Sequence, residues 1–212
     1  MMSRQIYLAE TNVAITGLGL MGGSLALALR PHCRSLSVAD PDLETLALAY
    51  QLHIADRVSA HAAEILPGTD LVILAAPVKA ILGLIEQLPR QHPGEPVVMD
   101  IGSTKAEICR AYQSLPERFD PLGGHPMCGK ETSGLGQAEA KLFKDAAFAL
   151  TPLTRTTWRA RTLGEQLVSA IGARLVWLEA ETHDRWTAAT SHGPYLLSLA
   201  LALATPSEAA PL

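Results

Sequence analysis

Cysteine is scarce in this chain of 212 residues: Cys33, Cys109 and Cys128 are the whole complement, far apart and odd in number. That excludes a disulfide framework and a CxxC-type structural zinc site, and it predicts reduced thiols in the cytoplasm. A basic excess is missing as well. The formal net charge is −4, so there is no electrostatic footprint for nucleic acid, and the small acidic surplus implies no other particular partner. The opening MMSRQIYLAE holds Arg4 and Glu10 without an apolar core, which is not the pattern of a signal peptide. The longest apolar run, 195–204, falls far short of the roughly 20 residues that a membrane-spanning helix needs. These absences lead to the expectation of a soluble, cytoplasmic protein with no membrane partner.

What remains is an ordinary globular mix, 48% hydrophobic and 18% charged, enough for one well-buried α/β domain with a small appendage. Short aliphatic runs at 12–16, 35–40, 70–76 and 96–101, each bounded by Gly, Pro or Asp, read as buried parallel strands. Between them, 21–30, 43–52 and 78–88 have helical spacing. The alternation predicts βαβ units in a Rossmann-type, doubly wound and mainly parallel sheet. Two more strands, 146–151 and 173–178, flank a helix at 158–171. From 181 to 204 the pattern is continuously helical except at Gly193-Pro194, and it gives way to a short Pro/Ala tail, TPSEAAPL. The division expected is a dinucleotide-binding domain at 1–180 and the start of a C-terminal helical domain, for dimerisation and substrate, at 181–212.

The segment NVAITGLGLMGGS sets Gly17, Gly19 and Gly22 as GxGxxG between a strand and a helix. In that context the first glycine permits the tight turn, the second lets the backbone approach a pyrophosphate, and the third allows close helix–strand contact. The N–H groups that open the helix then face the phosphates. Asp40, ending the next strand, stands where a ribose-binding acid belongs; it accepts from a 2′-OH and repels a 2′-phosphate, which favours NAD over NADP. Arg34 or a neighbour offers the alternative, NADP. Leu20, Met21, Ala76 and Pro77 complete the expected cofactor-binding set. No metal site is expected.

Two other segments carry candidate chemistry. In DIGSTKAEI, 100–108, Ser103, Thr104 and Lys105 follow a strand, at the carboxyl edge where open α/β sheets bind ligands. Thr104 with Glu107 reads as a T-x-x-E capping box, and Ser103 either contacts ligand or serves the loop alone. In PLGGHPMCGKETSG, 121–134, glycines and Pro126 around His125 read as a turn-rich loop that presents an imidazole to a cleft.

The motifs GLGLMGGSLA, DIGSTKAEI, GGHPMCGKETSG and ETHDRWTAATSH, in this order and at about this spacing, resemble those of the prephenate/arogenate dehydrogenase family. The resemblance runs from Val13 to about Ala204, and the histidine motif is its specific part. It implies oxidative decarboxylation of a cyclohexadienyl acid in tyrosine biosynthesis. His125 would take the proton of the ring hydroxyl as hydride leaves for the nicotinamide, a role that suits a group titrating near working pH. Ser103 would hold the same hydroxyl or orient His125. Glu131 matches an acid at the entrance of the site in some relatives and reads equally well as a solvated loop charge. His192 is the expected substrate contact. His183 is a helix-start or interface residue, since a straight helix sets the two about 180° apart.

The chain also departs from the family. Where many relatives continue with Leu-Pro-His, it has Gly193-Pro194-Tyr195, so Tyr195 stands in place of a histidine that helps read the substrate side chain. Relatives go on into a helical bundle that forms a homodimer and supplies an arginine for the ring carboxylate. No arginine here matches it, and the expectation is a shortened member that binds cofactor better than it turns over substrate. Two rival readings are a β-hydroxyacid dehydrogenase, which can share the GLGxMG opening, and a nucleotide-binding module without catalysis.

Overall fold

A strand in which every residue is apolar needs cover on both faces, because successive side chains point to opposite sides of the sheet. The computed structural model, which describes residues 6–205, meets this demand with one sheet between two helical layers. The strands are β1 (Asn12–Thr16), β2 (Ser35–Ala39), β3 (Arg57–Ser59), β4 (Leu71–Leu74), β5 (Val97–Asp100), β6 (Asp120–Pro126), β7 (Ala147–Pro152) and β8 (Arg174–Trp177). They lie in the order β3-β2-β1-β4-β5-β6-β7-β8. Neighbours are parallel throughout except β6 and β7, which are antiparallel. The helices are α1 (Leu20–Leu29), α2 (Leu43–Gln51), α3 (Ala62–Ile65), α4 (Val78–Gln91), α5 (Ala106–Gln113), α6 (Trp158–Ala170), α7 (Ala180–Thr187) and α8 (Gly193–Ala204).

Side-chain alternation sorts the core into two halves. Val13, Ile15, Ile73, Met99 and Leu122 pack on one face with Leu25 and Leu29 of α1 and Leu163 and Leu167 of α6. Their strand neighbours Ala14, Val72, Leu74 and Val98 pack on the other with Ile81 and Ile85 of α4 and Ile108 and Tyr112 of α5. All four residues of β4 are fully buried, as the centre of a doubly covered sheet requires. The doubly wound, mainly parallel sheet is therefore as expected. The strand order turns back between β1 and β4, so the carboxyl ends of these strands flank the crevice where such folds bind ligands.

Three local readings change. The GGHP segment is not a loop but part of β6. Its glycines serve close approach within the sheet: a Cβ on Gly124 would lie 2.5 Å from the Asp100 carbonyl oxygen and 3.2 Å from Phe148. Next, α4 runs past Leu88 to Gln91 with Pro89 inside its last turn, and His92 N–H closes that turn on the Leu88 carbonyl at 2.9 Å. Finally, α7 and α8 are joined by a π-helical turn, Ala188–His192, in which Gly193 donates five residues back to Ala188. Pro194 has no N–H for the regular helical bond, and the wider turn absorbs that loss. The straight-helix premise that set His183 and His192 on opposite sides therefore does not hold. Short β3 is an addition that aliphatic patterning did not reveal. The 206–212 tail lies outside the described residues. No helix among the described residues is long and apolar enough to cross a membrane.

Gly124→Ala tests the close approach: its methyl would meet backbone, which cannot step aside. We expect a loss of about 2–3 kcal/mol in denaturant unfolding; an unchanged midpoint would show that β5 and β6 can separate freely.

Candidate active site

A cavity of about 1190 Å³ opens along the carboxyl ends of β1, β2, β4, β5 and β6. At one end are the glycine turn and the residue after β2. Gly17 has φ +96°, and a Cβ there would sit 2.5 Å from the Ala75 carbonyl oxygen. A Cβ on Gly22 would collide with Gly17 oxygen at 2.0 Å, so α1 touches the turn it follows. Gly19 caps α1 without a side chain, and nothing lies within 4 Å of where its Cβ would be. The cradle is bare backbone ending in a helix N-terminus, which fits a pyrophosphate. Asp40 accepts from Leu18 N–H at 2.7 Å and from Asp42 N–H at 3.0 Å, which holds its carboxylate at the cavity edge. Leu20, Met21, Ala76 and Pro77 line the same wall.

At the other end, Ser103, His125 and Cys128 line the cavity. Burial pushes the Cys128 thiol above its usual range, so it is not a thiolate nucleophile. Lys105 is fully buried rather than open to ligand. It pairs with Asp100 and donates to the Gly124 carbonyl at 2.6 Å, tying the end of β5 to β6 beneath the histidine. Burial raises the Asp100 carboxyl, against the pull of the Lys105 ammonium.

The expected Thr104 capping box is not formed. Lys105 is the cap residue of α5 and makes no side-chain cap bond. The carboxylate comes instead from α7: Asp184 accepts from Lys105 N–H at 2.6 Å and from Ala106 N–H at 2.9 Å. Its neighbour His183 is fully buried, with Nδ1 2.8 Å from Asp184 and Nε2 2.9 Å from His125 Nδ1. His183 is thus an inner partner of His125, a role that sequence reading missed. The adjacent His-Asp pair was visible, but the contact spans 58 residues.

His125 has its pKa pushed down to about 3, first by burial, then by the positive field of Lys105 and by His183 and His192, with Asp184 opposing. This differs from the expectation of a group titrating near neutrality. The free site holds a neutral imidazole, whose lone pair is available far into the acid range. His192 acts on His125 but is itself exposed and not part of the cavity wall. Glu131 and Tyr195 are also exposed and outside the wall, so the structure does not bring them together with Ser103 and His125.

Parallel sheet, reversed strand order and glycine cradle define a dinucleotide-binding α/β protein. The chain belongs to the family described as prephenate dehydrogenase, nucleotide-binding domain, whose model matches residues 25–177. It is 34% identical over 199 residues to a prephenate dehydrogenase of Bacillus subtilis (strain 168), covering 91% of this chain and 53% of that one. Among solved structures, prephenate dehydrogenase from A. aeolicus in complex with hydroxyphenyl propionate and NAD+ superposes with a TM-score of 0.85 at 27% identity. That match covers 95% of this chain and 72% of the other. Arogenate dehydrogenase of Synechocystis gives 0.81 at 26%, with the same coverage. The chain spans about half the length of the B. subtilis relative.

The lowered histidines predict a pH dependence of stability. The folded forms of His92, His125 and His183 all titrate below 6.5, so the unfolded chain binds more protons in acid. Their contribution is complete above about pH 6.5 and is lost as pH falls toward 3, the folded value of His125. By pH 5 His125 alone should cost on the order of 2 kcal/mol, or several degrees in Tm. Calorimetry at pH 7.5 and 5 checks this, and His125→Asn should flatten the slope; equal Tm values in the wild type would contradict it.

Proposed function

We propose that this chain forms the nucleotide-binding and catalytic part of an NAD-dependent dehydrogenase that oxidatively decarboxylates prephenate or arogenate. The observation that carries the reading is that a neutral His125 and Ser103 share one cavity with the Gly17–Gly19 cradle. In this reading Gly17, Gly19 and Gly22, with Leu20 and Met21, hold the pyrophosphate, Asp40 holds the ribose, and Ala76 and Pro77 flank the nicotinamide end. The carboxylate of Asp40 favours NAD; NADP would have to turn to Arg34. When bound, the oxidised nicotinamide accepts the hydride.

The chain's own residues handle the proton. Ser103 holds the ring hydroxyl, and His125 Nε2 takes its proton as the carbon–hydrogen pair departs. Breaking of the ring carbon–carboxylate bond then delivers an electron pair that closes the aromatic ring. Negative charge returns to the oxygen, which recovers the proton, so the histidine ends as it began. Aromatisation drives the step, and the protein's task is to position and desolvate. Glu131, His192 and Tyr195 are proposed as outer substrate contacts. His192 already acts on His125, and Tyr195 follows it closely on α8.

The division at about residue 180 is proposed to separate this part from a helical part, 181–212. There Trp186, Tyr195, Leu197, Leu201 and Leu203 are exposed, an apolar surface that supports a homodimer through these helices. Three free cysteines support a reducing, cytoplasmic setting.

The experiment is initial-rate NADH formation by the 212-residue chain, with prephenate and arogenate compared, beside calorimetric titration of NAD. We expect NAD binding and turnover of one acid. Binding without turnover of either would reduce the chain to a nucleotide-binding module, and absence of binding would overturn the reading. His125→Asn should lower kcat by about 10²–10⁴ while NAD still binds; full turnover by that variant would remove His125 from the mechanism.

A further inference from the structure

Three hydrogen-bonding groups lie in a row behind the cavity, and their donor and acceptor roles can be worked out from one end. Asp184 accepts two backbone N–H groups at the start of α5, one on each carboxylate oxygen. A carboxylate bound in this way at a helix N-terminus is stabilised as the anion. It lies below the usual carboxylate range, burial being outweighed by bonds from Ala106, His183 and Lys105. An anion only accepts, so the proton between Asp184 and His183, 2.8 Å apart, sits on His183 Nδ1. Burial keeps His183 neutral, which leaves its Nε2 bare. Two bare nitrogens 2.9 Å apart cannot share a hydrogen bond, so His125 Nδ1 must supply the proton to His183 Nε2. His125 Nε2 is then left with its lone pair, and it makes no hydrogen bond among the described residues.

We infer that His183 and Asp184 are positioning residues that lock His125 in its Nδ1–H form, so that Nε2 faces the cavity as the proton acceptor. The inference rests on the proposed role of His125 as base and adds what makes that role available. A second ring nitrogen held by a carboxylate-anchored partner sets tautomer and ring orientation together. When Nε2 gains the substrate proton, the new positive charge lies one imidazole away from the Asp184 anion. No proton needs to move along the row. The same carboxylate caps α5, so the element carrying Lys105 and the element carrying His183 are set by one group.

The test is the tautomer itself, read by long-range ¹H–¹⁵N correlation on chain labelled at histidine nitrogen, at pH 7.5 and without substrate. The His125 signals are identified by their disappearance in His125→Asn. We expect Nδ1 protonated and Nε2 unprotonated in the wild type. His183→Phe removes the acceptor and should move His125 toward the Nε2–H form. His183→Gln keeps an acceptor at the same reach and should restore Nδ1–H. In turnover, His183→Phe should lower kcat about 10- to 100-fold with the KM for NAD unchanged, and His183→Gln should recover most of it. An Nε2–H form in the wild type, or a His183→Phe protein still in the Nδ1–H form, would overturn the inference. Should a variant fail to fold, the wild-type spectrum decides by itself. A wild type that holds Nδ1–H yet turns over neither acid would refute the proposed function and leave the locked tautomer standing.

Discussion

The carboxylate of Asp184 receives hydrogen bonds from the N–H groups of Lys105 and Ala106, the cap and first residue of α5, and from His183, and most of the site's geometry depends on these. A helix N-terminus has unpaired donors that something must satisfy. In this protein the acceptor comes from a helix 79 residues further along the chain. One group therefore fixes where α5 begins, where α7 docks and how His183 is turned toward His125. A local capping box would have satisfied α5 just as well and tied it to nothing else.

Beneath the histidine lies a second constraint, the buried pair of Lys105 and Asp100. Removing both charges from water is costly, and mutual attraction with further hydrogen bonds offsets the cost. Lys105 meets this demand by reaching the Gly124 carbonyl as well, so the pair also joins β5 to β6 one residue before His125. Its positive field and the burial of the site act in the same direction on the imidazole. The result is an imidazole kept neutral by its surroundings rather than one poised to titrate at the working pH.

The cofactor end is governed by crowding rather than charge. Gly17, Gly22 and the Ala75 backbone meet where the strand order reverses, and no side chain fits between them. That crowding leaves a surface of main chain alone, with Asp40 at its edge. Because the glycine turn and the histidine sit at the carboxyl ends of strands in one sheet, the distance between them is set by strand spacing.

Aliphatic runs, helical spacing and the glycine pattern determined most strands of the sheet, the helices between them, the glycine turn and the place of Asp40 just after β2, because each is encoded by neighbours within a few residues. The strand at 12–16 and the helix starting at Leu43 fall where the aliphatic run and helical spacing put them. His125 and Ser103 could be named from their motifs for the same reason. Tertiary structure alone decided that Gly123 and Gly124 form a strand, since Gly123 admits Thr151 and Cys109, and Gly124 the Asp100 backbone and Phe148, from elsewhere in the fold. It alone buried Lys105, brought Asp184 to α5 and set His183 against His125, because donor and acceptor there are far apart in sequence and meet only when the sheet has closed between them. Local pattern records what a segment prefers; the protonation and orientation of the histidine follow from partners that no segment contains.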